Sequence, residues 1–335
     1  VSVLVEVTRG PVTESRHSGA FAVVDAAGRL VWGAGDVHRA ILPRSATKPL
    51  QALPLIETGA ADAYGFGDVE IAMACASHRG EPRHVEAASA MLARAGLAEP
   101  DLECGAQMPS QRRAAAALIR EGREPSQLHN NCSGKHAGFL CTACHAGEAT
   151  RGYIGFDHPA QRRVTAALGE MCGLDLARVP HARDGCGIPV FDVPLIALAR
   201  GMARLADPSG LPASRASAAS RIRKAMAAEP IYVCGEGALV TSVMQAAPDV
   251  LVKNGAEGVF AAILPRLGLG VALKIDDGAM RAADLAIVTV LRTLGCFDPS
   301  QEAALAGFLH PLVHGVAGFE AGEVRPTRAL LERAA

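Results

Sequence analysis

Ser45 and Lys48 stand three residues apart in Arg44-Ser45-Ala46-Thr47-Lys48-Pro49-Leu50-Gln51, where an amphipathic helix is predicted to begin. Residues at that spacing share a helix face, so the amine can reach the hydroxyl. A serine hydroxyl is a poor nucleophile at neutral pH. A lysine whose pKa is lowered by desolvation or a neighbouring cation can take its proton. Pro49 fits only in a first helical turn, where its missing N–H has no intrahelical partner, and it strains Lys48 before it. Leu50, Leu53, Pro54 and Ile56 give the following turns a core-facing stripe. Alone, S-x-x-K is short and reads equally as an ordinary helix start with Ser45 as its cap.

Four further clusters could carry chemistry. Cys75-Ala76-Ser77-His78-Arg79-Gly80-Glu81-Pro82 packs polar and charged residues beside small ones, as a pocket wall or a helix–helix loop does. Asn130-Asn131-Cys132-Ser133-Gly134-Lys135-His136 contains a Ser-Gly-Lys that resembles a phosphate-binding loop, but His129 stands where that loop needs glycine and His136 where it needs Ser or Thr. ATP binding is therefore unsupported. Arg183-Asp184-Gly185-Cys186-Gly187-Ile188-Pro189 brackets a cysteine with glycines, which suits close backbone approach to a ligand or a plain turn around a buried thiol. Lys253-Asn254-Gly255 ends a predicted strand and invites comparison with the K-T-G strand that accompanies S-x-x-K in β-lactamases and penicillin-binding proteins. Cys141-Thr142-Ala143-Cys144-His145 matches the haem-attachment pattern, but it lies in a helix whose apolar residues explain it as core.

The elements that must position these groups are strands at both chain ends around a helical middle. Strands are predicted at 1–7, 19–25 and 29–33, with a turn at 26–28, and again at 249–253, 258–264 and 270–275. Helices are predicted at 69–76, 82–95, 112–120, 134–146, 160–171, 192–205, 214–227 and 281–294, followed by a partly helical tail. This order argues against a βαβ repeat. The simplest assembly is an α/β fold with one antiparallel sheet built from both ends and covered by helices, so that 1–335 form a single domain. The stretch 206–220 is expected to be the most flexible internal loop. Lys and Arg (33) nearly balance Asp and Glu (34), and no block of like charge stands out. Nucleic acid and membrane surfaces are therefore poor partners. The first residues lack a signal-peptide pattern and the nine cysteines are scattered, which points to a cytoplasmic protein with buried, metal-binding or catalytic thiols.

In this order, with Val271-Ala272-Leu273-Lys274-Ile275-Asp276-Asp277-Gly278 after them, the blocks resemble the asparaginase II family (class 3 L-asparaginases, of the Rhizobium etli inducible type) over nearly the whole chain. The resemblance implies a serine β-lactamase-like fold, a homodimer, and hydrolysis of L-asparagine to L-aspartate and ammonia. It implies two Ser-Lys tandems, Ser45 with Lys48 and Ser77 with Lys253, for which Lys274 is the competing lysine. It implies a zinc site at Cys132, Lys135 and Cys186; the lysine must be neutral to bind, and a nearby dication lowers its pKa. Ser77 is followed by His78-Arg79 and not by the second half of an S-x-N motif, which argues against antibiotic hydrolysis.

Amide cleavage needs a nucleophile, a proton for the leaving ammonia and stabilisation of the oxyanion. Ser45 activated by Lys48 is expected to attack and Ser77 with Lys253 to relay protons, although the two serines can exchange roles. Arg44, Arg79 and His136 are candidates for the substrate carboxylate and Asp184 for its ammonium. The alternatives are another serine amidase of the same implied fold and a non-catalytic zinc- or haem-binding protein.

Overall fold

A computed structural model describes residues 2–332. The chain divides into two compact units, each assembled from separated stretches: residues up to 46, 193–207 and those from 242 onward in the first, 47–192 and 208–241 in the second.

The first unit carries an eight-stranded antiparallel sheet. Its strands are β1 (Ser2–Arg9), β2 (Val12–Asp25), β3 (Leu30–Ala34), β4 (Leu251–Asn254), β5 (Val259–Leu264), β6 (Leu269–Ile275), β7 (Leu312–His314) and β8 (Glu320–Pro326). The order is β7-β8-β1-β2-β6-β5-β4, with β3 also pairing β2. The sheet is thus made from both ends of the chain. One strand, β5, is apolar throughout: every residue of Val-Phe-Ala-Ala-Ile-Leu is buried, which requires cover on both faces. The helices Leu195–Ala206 and Met280–Thr293 pack on this sheet. The tail, expected to be partly helical, holds the short helices Pro299–Ala304, Ala306–Leu309 and Arg328–Leu331 together with the strands β7 and β8. The strands alternate weakly, and pairing defines them, β8 with β1 (Val5 opposite Pro326, Val7 opposite Val324) and β7 with β8.

Register decides what the β4–β6 lysines can do. Lys253 pairs with Ala261, Ala261 with Ala272, and Lys274 with Val259. Directly opposed residues and those two apart share a sheet face, so Lys253 and Lys274 project from the same one.

The second unit is helical. Its main helices are Asp68–Ala74, Pro82–Arg94, Arg112–Arg120, Ser133–His145, Pro159–Cys172 and Ala213–Ala228, with a hairpin of His181–Arg183 and Pro189–Phe191. Residues 206–220, expected as loop, enter a helix at Ala213. The helix expected at Lys48 is broken into Lys48–Gln51 and Leu53–Glu57 behind a 3-10 turn at Arg44–Thr47. Pro49 and Pro54 explain the break, since each is tolerated only in a first turn and each segment carries one there. Among the described residues no helix is long and apolar enough to cross a membrane.

Candidate active site

In the second unit one contiguous polar cluster is buried where apolar packing would be expected. Lys48 is 1% exposed. Its ammonium donates to the main-chain carbonyl of Ala76, to Ser77 Oγ at 3.0 Å and to the Asn131 carbonyl at 3.3 Å. Ser77 follows the helix Asp68–Ala74, and its own N–H donates to Val233 O at 2.8 Å. Asn131 immediately precedes the helix Ser133–His145, on whose first turn Cys132, Lys135 and His136 share a face. These two elements meet at Gly134, where a side chain would collide with the Met73 carbonyl. The glycine permits that approach, and with it the meeting of Lys48, Ser77 and Asn131.

The cluster continues into the thiols. Lys135 Nζ donates to Cys186 Sγ at 3.1 Å, Cys186 being delivered by the turn of the hairpin. Cys132 lies in hydrogen-bond contact with Cys186 and Lys48, and the Asn131 side-chain amide is 3.0 Å from its sulfur. The Cys186 hydrogen bond, with Lys135 and Lys48 alongside, holds the Cys132 thiol well below its ordinary range despite burial. Cys186 is pushed up by that same bond and by burial. Burial alone would lower the Lys135 ammonium, but Cys132 and Cys186 beside it outweigh burial and raise it. Burial, with Cys132 adding to it, pushes Cys104 up to about 12, and burial with Cys144 does the same to Cys141.

His136 is fully buried, and burial together with the Lys135 and Lys48 charges pushes it far below its ordinary value, so it is neutral. The Tyr153 hydroxyl accepts the Glu103 N–H at 3.0 Å and lies 2.7 Å from His136 Nδ1. That hydroxyl's own proton goes to Nδ1, which leaves the imidazole proton on Nε2. Among the described residues Nε2 has no hydrogen-bond partner. An orphaned buried donor costs about 1–3 kcal/mol, and a ligand oxygen would recover it. Asp184 is half-buried, accepts the Gly185 N–H at 2.7 Å and adds its charge to that felt by Lys135. The Arg79 guanidinium donates to the Glu236 carbonyl at 3.1 Å, fastening the loop that follows Val233.

Motif position alone assigns His78 no role; its contacts do. Its Nδ1 accepts the Gly80 N–H at 3.1 Å, and its Nε2 lies 2.8 Å from Ser133 Oγ, whose own proton goes to Leu128 O. The ring stacks on His84, centroids 4.9 Å apart. His84 in turn accepts the Glu81 N–H on Nδ1 at 3.2 Å and faces Ile231 O with Nε2 at 2.9 Å. Two neutral imidazoles thus pin the loop that carries Ser77.

The first unit holds the remaining candidates. Arg44 has φ of 50°, in the left-handed region, a strained conformation for an arginine immediately before a half-buried serine. The turn Pro43–Ala46 meets Gly255, where a Cβ would stand 2.6 Å from Pro43 O and 3.3 Å from Ala46 N. The structure thereby brings the Ser45 turn against the Lys253-Asn254-Gly255 stretch. Lys253 is 1% exposed and donates to Asn254 O at 2.8 Å and Asn254 Oδ1 at 3.1 Å. Lys274 donates to the Ile275 carbonyl. Burial, with Arg39 beside it, lowers its pKa against the pull of Asp276, Glu257 and Asp277.

A buried amine bonded to a serine hydroxyl and continued by ionisable thiols is an arrangement suited to acyl-transfer hydrolysis. The chain belongs to the L-asparaginase II family, an amidohydrolase family: the L-asparaginase II family model matches residues 5–326. No curated protein matches the chain. Among solved structures it is similar to Mglu in its native form (15% identity, TM-score 0.46, covering 84% of this chain and 65% of that one). It is also similar to Mglu in its tris and glutamate form (13%, 0.48, 87% and 63%). A β-lactamase from Mycobacterium bovis matches at 16% and 0.39, over 87% and 95%. These likenesses are loose, and the chain spans less than two thirds of the Mglu chains, 65% and 63%.

Proposed function

We propose that the protein hydrolyses the side-chain amide of L-asparagine to give L-aspartate and ammonia. The observation that carries this reading, together with family membership, is the buried Lys48 amine 3.0 Å from Ser77 Oγ. In this reading Ser45 is the nucleophile, which the strained Arg44 before it favours. Lys48 is the base, and Ser77 carries the proton towards the leaving ammonia, with Lys253 the second tandem's lysine. The short Lys48–Ser77 bond favours a second assignment, Ser77 as nucleophile with Lys48 as its own base. A covalent acyl-serine trapped in Ser45→Ala but not in Ser77→Ala would select it. Arg44 and the Nε2–H of His136 receive the substrate α-carboxylate and Asp184 its ammonium, while Arg79 holds the rim loop.

Zinc belongs to the proposal. Among the described residues no three His, Cys, Asp or Glu gather as a metal site, so a metal must enlist the lysine. Two sulfurs and an amine, buried and in mutual contact, fit zinc once their shared protons leave. A zinc ion there supplies a positive anchor for the substrate. Cys132 and Cys186 would hold it with Lys135, and the homodimer is carried by the resemblance alone. The buried thiols Cys132 and Cys186 at this site accord with a reducing compartment such as the cytoplasm.

The test is ammonia release from L-asparagine and L-glutamine by the protein and its Ser45→Ala and Ser77→Ala variants. Release from asparagine lost in both variants supports the reading; no release from either amide, with zinc supplied, overturns it. Cys132→Ser is expected to raise KM about 10- to 100-fold while kcat at saturation stays near wild type. A fall in kcat alone would remove zinc from the positioning role.

A further inference from the structure

Lys48 can exchange a proton with Ser77 only while its amine is held at hydrogen-bond distance from the hydroxyl, and a flexible lysine needs partners to hold it there. Its partners are the main-chain carbonyls of Ala76 and Asn131, the Ser77 hydroxyl and the Cys132 sulfur. The carbonyls hold the nitrogen in place, 3.0 Å from Ser77 Oγ. The aim of the base therefore depends on the Asn131 carbonyl. That carbonyl is held by its surroundings: it also accepts the His78 N–H at 3.3 Å. The next N–H of the same peptide unit, Cys132 N, donates to Asn130 Oδ1 at 2.9 Å. Asn130 in turn donates through Nδ2 to the carbonyls of Cys104 and Gly105, both at 2.9 Å.

On the other side of Asn131, its N–H donates to Gln107 Oε1 at 3.1 Å. Gln107 lies in a loop fastened at both ends to the two elements it serves. Cys104 and Gly105 are tied to Asn130, and the Gln111 N–H donates to the Arg79 carbonyl at 3.2 Å, two residues beyond Ser77. The side chain of Gln107 thus sets Asn131 from outside the reacting cluster, without touching Lys48 or Ser77.

We infer that Gln107 is a positioning residue, holding Asn131 so that the Lys48 amine stays aimed at Ser77 Oγ. The inference rests on the amidohydrolase reading for its main readout. Gln107→Met keeps the length and removes the acceptor; Gln107→Glu keeps an acceptor at the same place. For ammonia release, Gln107→Met is expected to lower kcat about 10- to 100-fold, the scale of a small misplacement of a reacting group, with KM within about twofold. Gln107→Glu is expected to recover most of that loss. Wild-type kcat in Gln107→Met, a loss confined to KM, or an equal loss in both variants would overturn the inference. A second readout separates its failure from failure of the function itself. Should the wild type release no ammonia from either amide, labelling by a fluorophosphonate, which reports an activated serine whatever the substrate, is to be compared. Slower labelling in Gln107→Met, restored in Gln107→Glu, sustains the inference; no labelling of the wild type, or equal labelling of all three, overturns it.

Discussion

Each unit holds a lysine among polar groups, Lys48 buried and Lys274 half-buried, and the two keep different company. Lys48, in the helical unit, meets two main-chain carbonyls, a hydroxyl and a thiol. Lys274, on the sheet of the other unit, meets the Ile275 carbonyl in a field of fixed charges: Arg39 donates to Asp276, and His17 Nδ1 lies 2.6 Å from Asp277. Carboxylates stabilise an ammonium but stay ionised at neutral pH and hand on no proton. Hydroxyls and thiols can. The difference separates a charge ladder that ties strands together from a cluster in which protons have somewhere to go. It also weighs on the second tandem, since Lys253 shares a face with Lys274, and Lys253 is bonded to neutral amide oxygens.

The largest expected effect tests that separation directly. Lys48→Met is expected to lower ammonia release about 10²- to 10⁴-fold, the range for loss of a positioned acid–base group, with Lys274→Met within about threefold of wild type. Steady-state rates on folded variants decide it. If Lys274→Met proved as damaging as Lys48→Met, fixed charge and exchangeable protons would not be the distinction that matters here.

Acid sharpens the same contrast. His78 is pushed well below its ordinary 6.5, mainly by burial and then by His84, Lys48 and His129, and His84 is lowered by burial against the pull of Glu81. Both imidazoles use Nδ1 lone pairs to accept backbone N–H groups, so neither can take a proton without breaking a bond. Their folded pKa values lie below the unfolded one. The stability they contribute is present above about pH 6.5 and is lost as pH falls below it, because the unfolded chain binds protons that the folded chain cannot. In the sheet unit Asp277 is lowered from 3.8, so its contribution persists until far more acidic pH. Urea unfolding followed from pH 7.5 to 5 is expected to show falling stability, with amide exchange rising first around residues 77–84 and not in β2 or β6. Pairing His78→Asn with His84→Gln is expected to flatten the slope; an unchanged slope would acquit the histidines.

The sheet was legible in the sequence because β-rich stretches at both ends have nowhere to pair but with each other. The helices were legible from their 3.6-residue periodicity, to within a few residues at their ends. What escaped was set by tertiary partners. Strands β7 and β8 carry little pattern of their own, and the broken helix at Lys48 follows from two prolines that periodicity had absorbed as one stripe. In the site, Cys132, Lys135 and Cys186 could be named from motif blocks, and the structure brings them together. The partner that Lys48 finds at Ser77 lies 29 positions away, beyond the reach of an i, i+3 argument. Gln107, Tyr153 and the His78–His84 stack act through buried hydrogen bonds on loops, where residue type alone gives no signal.

The smallest effect on stability concerns Arg44, through which the sheet unit's part in the comparison becomes conformational instead of protonic. Its φ of 50° costs a side-chain-bearing residue about 1–2 kcal/mol, which glycine would not incur. Glycine also loses about 0.5–1 kcal/mol in backbone entropy on folding, so the two nearly offset. Arg44→Gly is expected to leave the melting temperature within about 3 °C of wild type. Activity then tells what the strain is for. With glycine the backbone can still turn at Ser45 but the guanidinium is gone, whereas Arg44→Lys keeps a cation and the strain. If Arg44 binds the substrate carboxylate, KM rises steeply in Arg44→Gly and less in Arg44→Lys, with kcat little changed in either. If the strained turn itself aims Ser45, kcat falls in Arg44→Gly, where the turn is free to relax, and survives in Arg44→Lys.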